Sequence, residues 1–336
     1  MTISPLILGT GRAGQAIEKS LAMLALQRPE LGLQPATRLA RGAKLASIAR
    51  EHDNPVMIVA NPTGLHASAI LEADAVGVSA IFCEKPSCVS LTEAASLRGV
   101  RTPTAVFHVY RQTWGAQTLK RMLDAGELGQ LISIEGRYWQ SSAAEHALQV
   151  SAGAPAVSSS WKNNRVLNGP ADTLLDIATH WADLACHLQG SLPSRIQSWR
   201  SFLNAETSHR DSHVQLAMDF NPQGRAFGSI SKAVHGATNH FEINLLGTLA
   251  SATWNFLSPD EIVVGKGRDR QVVTRQTTEY GSQQSPFHAL GWLEGYIEIL
   301  SQALGEVFLG KPGNFPRLTE NLDLIEKLLQ AFPDGI

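Results

Sequence analysis

Short apolar runs alternate with helical patterns along the first third of the chain. Strands are predicted at residues 6–8, 36–40, 56–59 and 80–83, and most of these runs lack polar positions. Unbroken apolar runs of this length are typical of strands buried on both faces of a parallel sheet. Helices are predicted between the strands, at residues 13–26, 44–51 and 66–75. This alternation predicts a parallel sheet covered by helices on both faces.

The pattern changes after about residue 110. Helices are predicted at residues 117–125 and 173–189, whereas residues 141–164 are rich in Ser and Ala and are predicted to form a long loop. Half-buried strands separated by turn residues predict a large, mainly antiparallel sheet. These strands are predicted at residues 131–140, 195–203, 213–220, 225–231, 240–246, 251–256, 261–264 and 271–275. Two closing helices are predicted at residues 292–309 and 319–332.

A glycine-rich turn connects the first predicted strand to the first predicted helix. It reads Gly9-Thr-Gly11-Arg12-Ala13-Gly14. In a dinucleotide-binding fold the first glycine makes the tight turn, the second lets the backbone approach a pyrophosphate, and the third allows helix and strand to pack closely. The helix N-terminus then binds the phosphates through its unpaired N–H groups. The hexapeptide alone is a weak signal, and its placement between strand and helix favours a dinucleotide site over a purely structural turn.

The second predicted strand lacks the acidic residue that selects NAD. An NAD-selective site usually places Asp or Glu about 20 residues beyond the glycine turn, on the ribose hydroxyls. Here Arg38, Arg41 and Lys44 occupy that region. A guanidinium can bind a 2′-phosphate in bidentate fashion, so NADP is predicted in preference to NAD, with Arg41 as the best single candidate. The alternative is that these are ordinary solvent-facing cations and that both cofactors bind.

A charged pair follows the strand at residues 80–83. Glu84 and Lys85 stand in the sequence Cys83-Glu-Lys-Pro86. Because ligands bind beyond the carboxyl ends of parallel strands, both side chains are expected to project toward the nicotinamide. A lysine in that position can bond a substrate oxygen, and Glu84 can hold the lysine in place. On these four residues alone, a surface ion pair in a turn is the better interpretation.

The helix at residues 173–189 carries a carboxylate and an imidazole four residues apart. Asp176 and His180 share one face of an α-helix, so the carboxylate can position the imidazole as a general acid or base. A solvated helix face explains the pair equally well. A metal site formed with His187 is disfavoured, because no thiolate or dense carboxylate cluster accompanies these residues.

The amino-acid composition excludes further classes of function. The 336 residues contain 28 basic and 30 acidic side chains, a net charge of −2 that argues against binding nucleic acid or an anionic membrane. Three cysteines exclude a disulfide scaffold, and with no visible targeting or membrane-spanning segment they predict a cytoplasmic protein. Charged residues make up 17%, below the average of about 25%, which is consistent with an oligomer.

Together the motifs resemble, in order and spacing, those of the Gfo/Idh/MocA family of oxidoreductases. The resemblance extends over most of the chain and is carried by several short segments. They are Gly9 to Gly14, Asn61-Pro62-Thr-Gly-Leu-His66, Cys83 to Pro86, Tyr110-Arg111, Asp124-Ala-Gly-Glu-Leu-Gly129, the Asp176 and His180 helix, and Leu246-Gly-Thr248. Each motif is modest alone, and the ordered set is specific.

The resemblance implies an α/β chain with an N-terminal Rossmann-type domain at residues 1–110. A C-terminal α+β domain at residues 111–336 would hold the substrate and form a homodimer or homotetramer through its large, mainly antiparallel open sheet. The implied activity is hydride transfer between NADP or NAD and a hydroxyl-bearing carbon of a sugar, cyclitol or related polyol. No metal is implied.

The resemblance also assigns roles to individual residues. The catalytic residues would be Lys85, Asp176 and His180: His180 exchanges the hydroxyl proton, Lys85 bonds the same oxygen, and Asp176 orients His180 or holds a neighbouring hydroxyl. The resemblance extends the cofactor site to Asn61, Pro62, His66 and Glu84, and the substrate site to Tyr110 and Arg111. Trp161 could line a sugar pocket, although packing is its more ordinary role.

Two other activities of the same fold compete with a dehydrogenase. One is an NAD-dependent glycosidase, which oxidises a ring carbon transiently and regenerates the cofactor. The other is a non-catalytic sensor or transcriptional regulator, which the presence of Lys85, Asp176 and His180 disfavours. The sequence departs from the family where a triple glycine is usual, at residues 168–171, so the identity of the substrate stays open.

Overall fold

The computed structural model describes residues 2–40, 42–153, 164–203, 210–221, 224–275 and 291–331. These residues form two compact units. The first contains residues 1–112, 164–169 and 292–326, and the second contains residues 113–163, 170–291 and 327–336. The units differ from the predicted division after residue 110 because two later segments join the first unit.

The helices begin and end at the following residues: Arg12–Gln27 (α1), Leu45–Arg50 (α2), His66–Val76 (α3), Leu91–Leu97 (α4), Trp114–Asp124 (α5), Ser142–Ser151 (α6), Arg165–Asn168 (α7), Thr179–Gln189 (α8), Trp292–Leu309 (α9) and Leu318–Gln330 (α10). In the part of the chain that the structure describes, no helix has the length and apolar character needed to cross a membrane. The three cysteines are free and buried.

The first unit is built on a five-stranded parallel sheet. Its strands are Ser4–Leu8 (β1), Thr37–Leu39 (β2), Pro55–Val59 (β3), Ala80–Cys83 (β4) and Thr104–Val106 (β5). The spatial order is β2-β1-β3-β4-β5, so the chain leaves β1 toward one edge and returns to the other side of β1 at β3. The carboxyl ends of β1 and β3 therefore border a topological switch point, where open α/β sheets form their ligand crevice.

The covering helix α9 completes the first unit from the far end of the chain. It packs against α1 and against a short helical turn at Val109–Gln112. The Arg28 guanidinium after α1 also donates to the Ser301 hydroxyl at 2.8 Å. The apolar faces of α1 and α9 thus bury each other, although more than 260 residues of sequence separate them.

The second unit is built on an eight-stranded, mainly antiparallel sheet. Its strands are Leu131–Trp139 (β6), Arg195–Ser201 (β7), His213–Asp219 (β8), Arg225–Ser231 (β9), His240–Gly247 (β10), Ser251–Asn255 (β11), Glu261–Lys266 (β12) and Asp269–Thr274 (β13). The order is β13-β12-β11-β10-β6-β9-β8-β7, with β6 and β9 the parallel pair. Alternate residues are buried along β8 and β10, as expected where one face of a sheet covers the core.

A pair of glycines fixes α8 on this sheet. Gly136 of β6 and Gly228 of β9 are directly paired in the sheet, and the fully buried Trp181 of α8 packs against both. A Cβ at Gly228 would lie 2.7 Å from the Trp181 ring, and one at Gly136 would lie 2.9 Å from Nε1. Two missing side chains on neighbouring strands therefore make the space that the indole fills.

The predicted strands of both sheets are confirmed, with ends shifted by a few residues. Several other elements differ from the prediction. Residues 142–151 form α6 rather than a loop, consistent with their Ala-rich, helix-favouring composition. The pattern also missed α4, α7 and β5, because these elements are short.

Substituting Gly228 with Ala should lower the stability of the second unit. The added methyl group must displace a fully buried indole, and overpacking of this kind costs about 1–3 kcal/mol. Differential scanning calorimetry should show a melting temperature several degrees below that of the unmodified protein.

Gly265→Ala provides the control in the same sheet. There the added Cβ would approach only the hydroxyl of Ser251, at 3.0 Å, which can rotate away. Equal melting temperatures for the two variants would contradict the role assigned to the glycine pair.

Candidate active site

The glycine turn of the first unit lies at the switch point. Gly9 adopts φ +140°, and a Cβ there would overlap the backbone of Ala60, the residue that follows β3. A Cβ at Gly14 would lie 2.7 Å from the Gly9 carbonyl oxygen. Both glycines are therefore required by the close packing of turn, helix and strand.

Gly11 has a different role. It is the N-cap of α1, has no side chain to bond the first N–H groups, and has no atom within 4 Å of the position a Cβ would occupy. The first turn of α1, which includes Arg12 and Ala13, also contains no acidic residue. An open glycine at a helix N-terminus provides backbone donors and a favourable dipole for an anion. This donor set fits the pyrophosphate of a dinucleotide.

Arg38 forms a hydrogen bond with the glycine turn. Its Nη2 lies 2.5 Å from Glu18 Oε2, and its Nη1 donates to the Gly9 carbonyl at 3.3 Å. The charge of Arg38 is thus balanced by a carboxylate on α1, a partner that the sequence prediction did not consider. Arg41, the preferred candidate for contact with a 2′-phosphate, lies outside the described residues.

His66 joins two loops at the carboxyl edge of the parallel sheet. Its Nδ1 lies 2.7 Å from the Pro86 carbonyl oxygen and its Nε2 lies 2.9 Å from the Asn61 carbonyl oxygen. The ring is buried, and that burial lowers its pKa despite both carbonyl contacts. His66 therefore fixes the segment of Asn61 and Pro62 relative to the loop that carries Lys85.

Glu84 is buried at the end of β4 and receives a hydrogen bond from the Tyr296 hydroxyl of α9. The Glu84 amide donates to the Val59 carbonyl at 2.8 Å, so the backbone continues the sheet up to Lys85. Lys85 itself is half-buried. Burial, with Glu84 as the adjacent charge, raises the pKa of Tyr296 well above its usual value, and the phenol remains a donor.

Tyr110 and Arg111 are both buried in the turn that follows β5. Arg111 Nη1 lies 2.6 Å from Glu320 Oε2 of α10. This contact anchors the pair within the first unit. Trp161, the aromatic residue predicted to line a sugar pocket, lies outside the described residues.

In the second unit, Asp176 lies in a π-helical turn at Leu174–Ala178, directly before α8. The sequence predicted one continuous α-helix here. Such widened turns occur mostly as single insertions and are frequent at functional sites. The turn changes the angular offset between Asp176 and His180, since each residue of a π-helix rotates less about the axis. His180 follows on α8, is 7% exposed, and lies 6.3 Å from the Tyr138 ring, centroid to centroid.

A buried ion cluster holds the start of this helical segment. Lys232 Nζ lies 2.6 Å from Asp172 Oδ1 and 2.5 Å from Asp176 Oδ2. Arg210 pairs with the second oxygen of Asp172. Asp211 accepts hydrogen bonds from the amides of Asp172, at 2.7 Å, and Leu174, at 2.9 Å. Burial raises the pKa of Asp211, and these amide donors oppose that rise.

Sequence reasoning missed Lys232, and one signal could have identified it. The buried side of β9 carries Ala226, Gly228 and Ile230, at every second position. The same period places Lys232 on the core side of the sheet, where a lysine is almost never buried without a partner. Candidate partners would then be Asp176 of the predicted helix and Asp172, which directly precedes that helix.

Comparisons with known proteins agree with this architecture. Residues 116–253 match the model of the GFO/IDH/MocA C-terminal domain. The chain is 25% identical over 313 residues to a protein named levoglucosan dehydrogenase from Pseudarthrobacter phenanthrenivorans, covering 83% of this chain and 77% of that protein. Both comparisons agree with the resemblance to the Gfo/Idh/MocA family that the sequence motifs show.

Solved structures with a similar fold cover nearly the full length of the chain. A levoglucosan dehydrogenase in complex with NADH and levoglucosan superposes with a TM-score of 0.80 at 21% identity, covering 98% of this chain and 97% of that one. An inositol dehydrogenase homologue from Azotobacter vinelandii in complex with NAD⁺ gives 0.79 at 16% identity, covering 100% and 97%. At these identities the likeness establishes the fold, and the match to the C-terminal domain model agrees with the Gfo/Idh/MocA resemblance seen in the sequence.

A Gly11→Val variant should fold normally and lose affinity for a nicotinamide dinucleotide. Protein atoms leave room for the added side chain, whereas a pyrophosphate approaching the N-terminus of α1 would meet it. Isothermal titration with the reduced cofactor should show at least tenfold weaker binding than for the unmodified protein. The melting temperature without cofactor should be unchanged, and equal affinities in two equally stable proteins would disprove the assignment.

Proposed function

We propose that this protein is an NAD(P)-dependent oxidoreductase that acts on a hydroxyl-bearing carbon of a sugar, cyclitol or related polyol. The observation that carries the proposal is the open N-terminus of α1 at the switch point of the parallel sheet, next to the loop that carries Lys85. The presence of Asp176 and His180 in the second unit supports dehydrogenase chemistry over a sensing role. The names of the family relatives support the substrate class.

The chain's own residues handle the proton and the developing charge. A bound nicotinamide would supply the hydride acceptor or donor. His180 takes the hydroxyl proton during oxidation and returns it during reduction. Lys85 bonds the same oxygen and stabilises negative charge on it, because a fixed cation in a water-poor site needs little reorganisation. Asp176 orients His180 or holds a neighbouring hydroxyl of the polyol.

The dinucleotide would be held by backbone donors at Gly11, Arg12 and Ala13 and by the edge that follows β3. Asn61 and Pro62 would border the nicotinamide, with His66 and Glu84 keeping that edge in place. NADP(H) is proposed in preference to NAD(H), since β2 ends without an acidic residue and Arg41 and Lys44 follow it. Equal or tighter binding of NADH than of NADPH, measured side by side at one ionic strength, would contradict this preference.

The outer face of the large sheet supports a homodimer or homotetramer. A shallow depression crosses β7, β8, β9, β6 and β10 and is lined by Trp139, Trp199 and Phe227, with the Arg137 and Glu242 pair beside them. Trp199 is 57% exposed and Phe227 is 45% exposed. Apolar area of this kind on a sheet face is typical of an interaction surface, and a sedimentation mass equal to that of one chain would contradict the assembly.

Lys85→Ala and His180→Ala should each lose turnover while retaining cofactor affinity. Removal of a positioned acid, base or oxyanion partner typically lowers the rate by about 10²–10⁴. The assay follows reduced nicotinamide by absorbance with a panel of anhydrosugars, aldoses and inositols. Lys266→Ala and His235→Ala serve as controls, and near-full activity in a folded Lys85 or His180 variant would remove that residue from the mechanism.

The same assay distinguishes a dehydrogenase from an NAD-dependent glycosidase. A dehydrogenase accumulates one reduced cofactor for each substrate molecule consumed. A glycosidase regenerates its cofactor, so glycoside cleavage would proceed without net reduction.

A further inference from the structure

Lys232 is one of the most deeply buried charged residues of the second unit. It is 3% exposed, and its ammonium contacts Asp172 and Asp176 within 2.6 Å. Burying an ion pair seldom improves stability over an apolar core, because desolvation offsets most of the attraction between the charges. Other contacts already hold this segment: Asp211 caps its first amides, and Trp181 fixes α8 on the sheet. Stability alone therefore does not explain the buried contacts of Lys232 with Asp172 and Asp176, and a role in the reaction is the better explanation.

The cluster has an inner and an outer carboxylate. The Asp172 side chain is 11% exposed and lies between two cations, Lys232 and Arg210. The Asp176 side chain is 29% exposed, and Lys232 contacts it through Oδ2. Asp176 is thus the carboxylate of this cluster that solvent or a bound molecule can reach. The charge of the buried Lys232 ammonium therefore affects solvent or a bound molecule through the Asp176 carboxylate.

Two cations, Lys232 and Arg210, contact the carboxylates Asp172 and Asp176. The buried Asp211 carboxylate lies beside them and interacts with the charges of Asp172 and Arg200. Burial by itself lowers the pKa of Lys232, but the two carboxylates outweigh it and raise the pKa above its ordinary value. The ammonium therefore stays charged throughout the pH range in which carboxylates and imidazoles titrate.

The other titratable groups near this cluster come from neighbouring elements. Asp211 lies in the segment before β8, and His213 begins that strand. Burial lowers the pKa of His213, so it adds no positive charge near neutral pH. His180 and Asp183 follow on α8. Lys232 contacts both Asp172 and Asp176, and Arg210 contacts Asp172. The Arg200 guanidinium interacts with the charge of Asp211.

We propose that Lys232 is a positioning residue for the reaction, which holds Asp176 ionised and in one orientation toward the substrate side. This rests on the proposed function, in which the ionised carboxylate accepts a hydrogen bond from His180 or a substrate hydroxyl. Without the ammonium, Asp172 keeps its pair with Arg210, whereas Asp176 loses a cation and retains the nearby Asp172 carboxylate. Asp176 then takes up a proton more readily. A protonated Asp176 can no longer act as an acceptor on both oxygens.

The test compares the pH dependence of kcat/KM for Lys232→Met, Lys232→Arg and the unmodified protein. Methionine keeps much of the side-chain length and removes the charge. The acidic limb of the profile should move to higher pH by at least about one unit in Lys232→Met, with turnover near neutral pH reduced at least tenfold. Lys232→Arg should restore the position of the limb. Lys120→Met removes the cation of a surface pair with Asp124 and should leave the profile unchanged.

For a second variant, Asp172→Asn, we expect the acidic limb of the pH profile not to move to higher pH. Asp172→Asn removes the competing carboxylate and leaves the ammonium to Asp176 alone, so the acidic limb should move to lower pH or stay in place. Simple loss of packing would not produce opposite shifts in two variants of one cluster. If Lys232→Met does not fold, Asp172→Asn and Lys232→Arg still decide the question, and an upward shift in Asp172→Asn would overturn the proposal.

A measurement without turnover separates this proposal from the proposed function. Carbon-13 NMR of carboxyl-labelled aspartate, with Asp176 assigned by its absence in Asp176→Asn, follows protonation directly. Asp176 should protonate at higher pH in Lys232→Met than in the unmodified protein. Equal titration of Asp176 in both would refute the role of Lys232. The same shift with no activity on any polyol would instead refute the proposed function.

Discussion

The packing of Trp181 against two paired glycines is the contact that fixes the position of α8 in the second unit. An α-helix that crosses a sheet normally rests on side chains, which leave some freedom to slide or rotate. Here Gly136 and Gly228 have no side chains, so the Trp181 indole packs directly on the backbone of the two strands. Since Trp181 follows His180 directly, the rotation of α8 that seats the indole also sets the direction of the imidazole.

The first unit depends on a different constraint, the convergence of backbone at the switch point. Gly9, Gly14 and Ala60 approach one another so closely that no side chain fits between them. His66 then connects the two following loops through their carbonyl groups. The binding edge is thus made mostly of main chain, and the cofactor residues proposed here act through amides more than through side chains.

Much of this architecture could be predicted from the sequence, because its signals are local. Unbroken apolar runs gave the parallel strands, and glycines placed between a strand and a helix gave the phosphate turn. The Glu18 partner of Arg38 and the Asp172 and Asp176 partners of Lys232 depend on distant elements meeting, which no local pattern shows. The π-helical turn at Leu174–Ala178 also depends on residues that are distant in the sequence. Its own residues predict an ordinary α-helix, whereas contacts with Asp211 and Lys232 hold the turn in the structure.

The discontinuity of the first unit has a consequence for how the chain reaches its fold during synthesis. The parallel sheet leaves the ribosome first, but α9, which covers α1, is about 265 residues farther along than the end of α1. The apolar face of α1 therefore stays uncovered while most of the second unit is synthesised, at roughly 5–20 residues per second. The first unit is therefore completed only after α9 has been synthesised, and during that interval the uncovered face of α1 is exposed to chaperones and to aggregation.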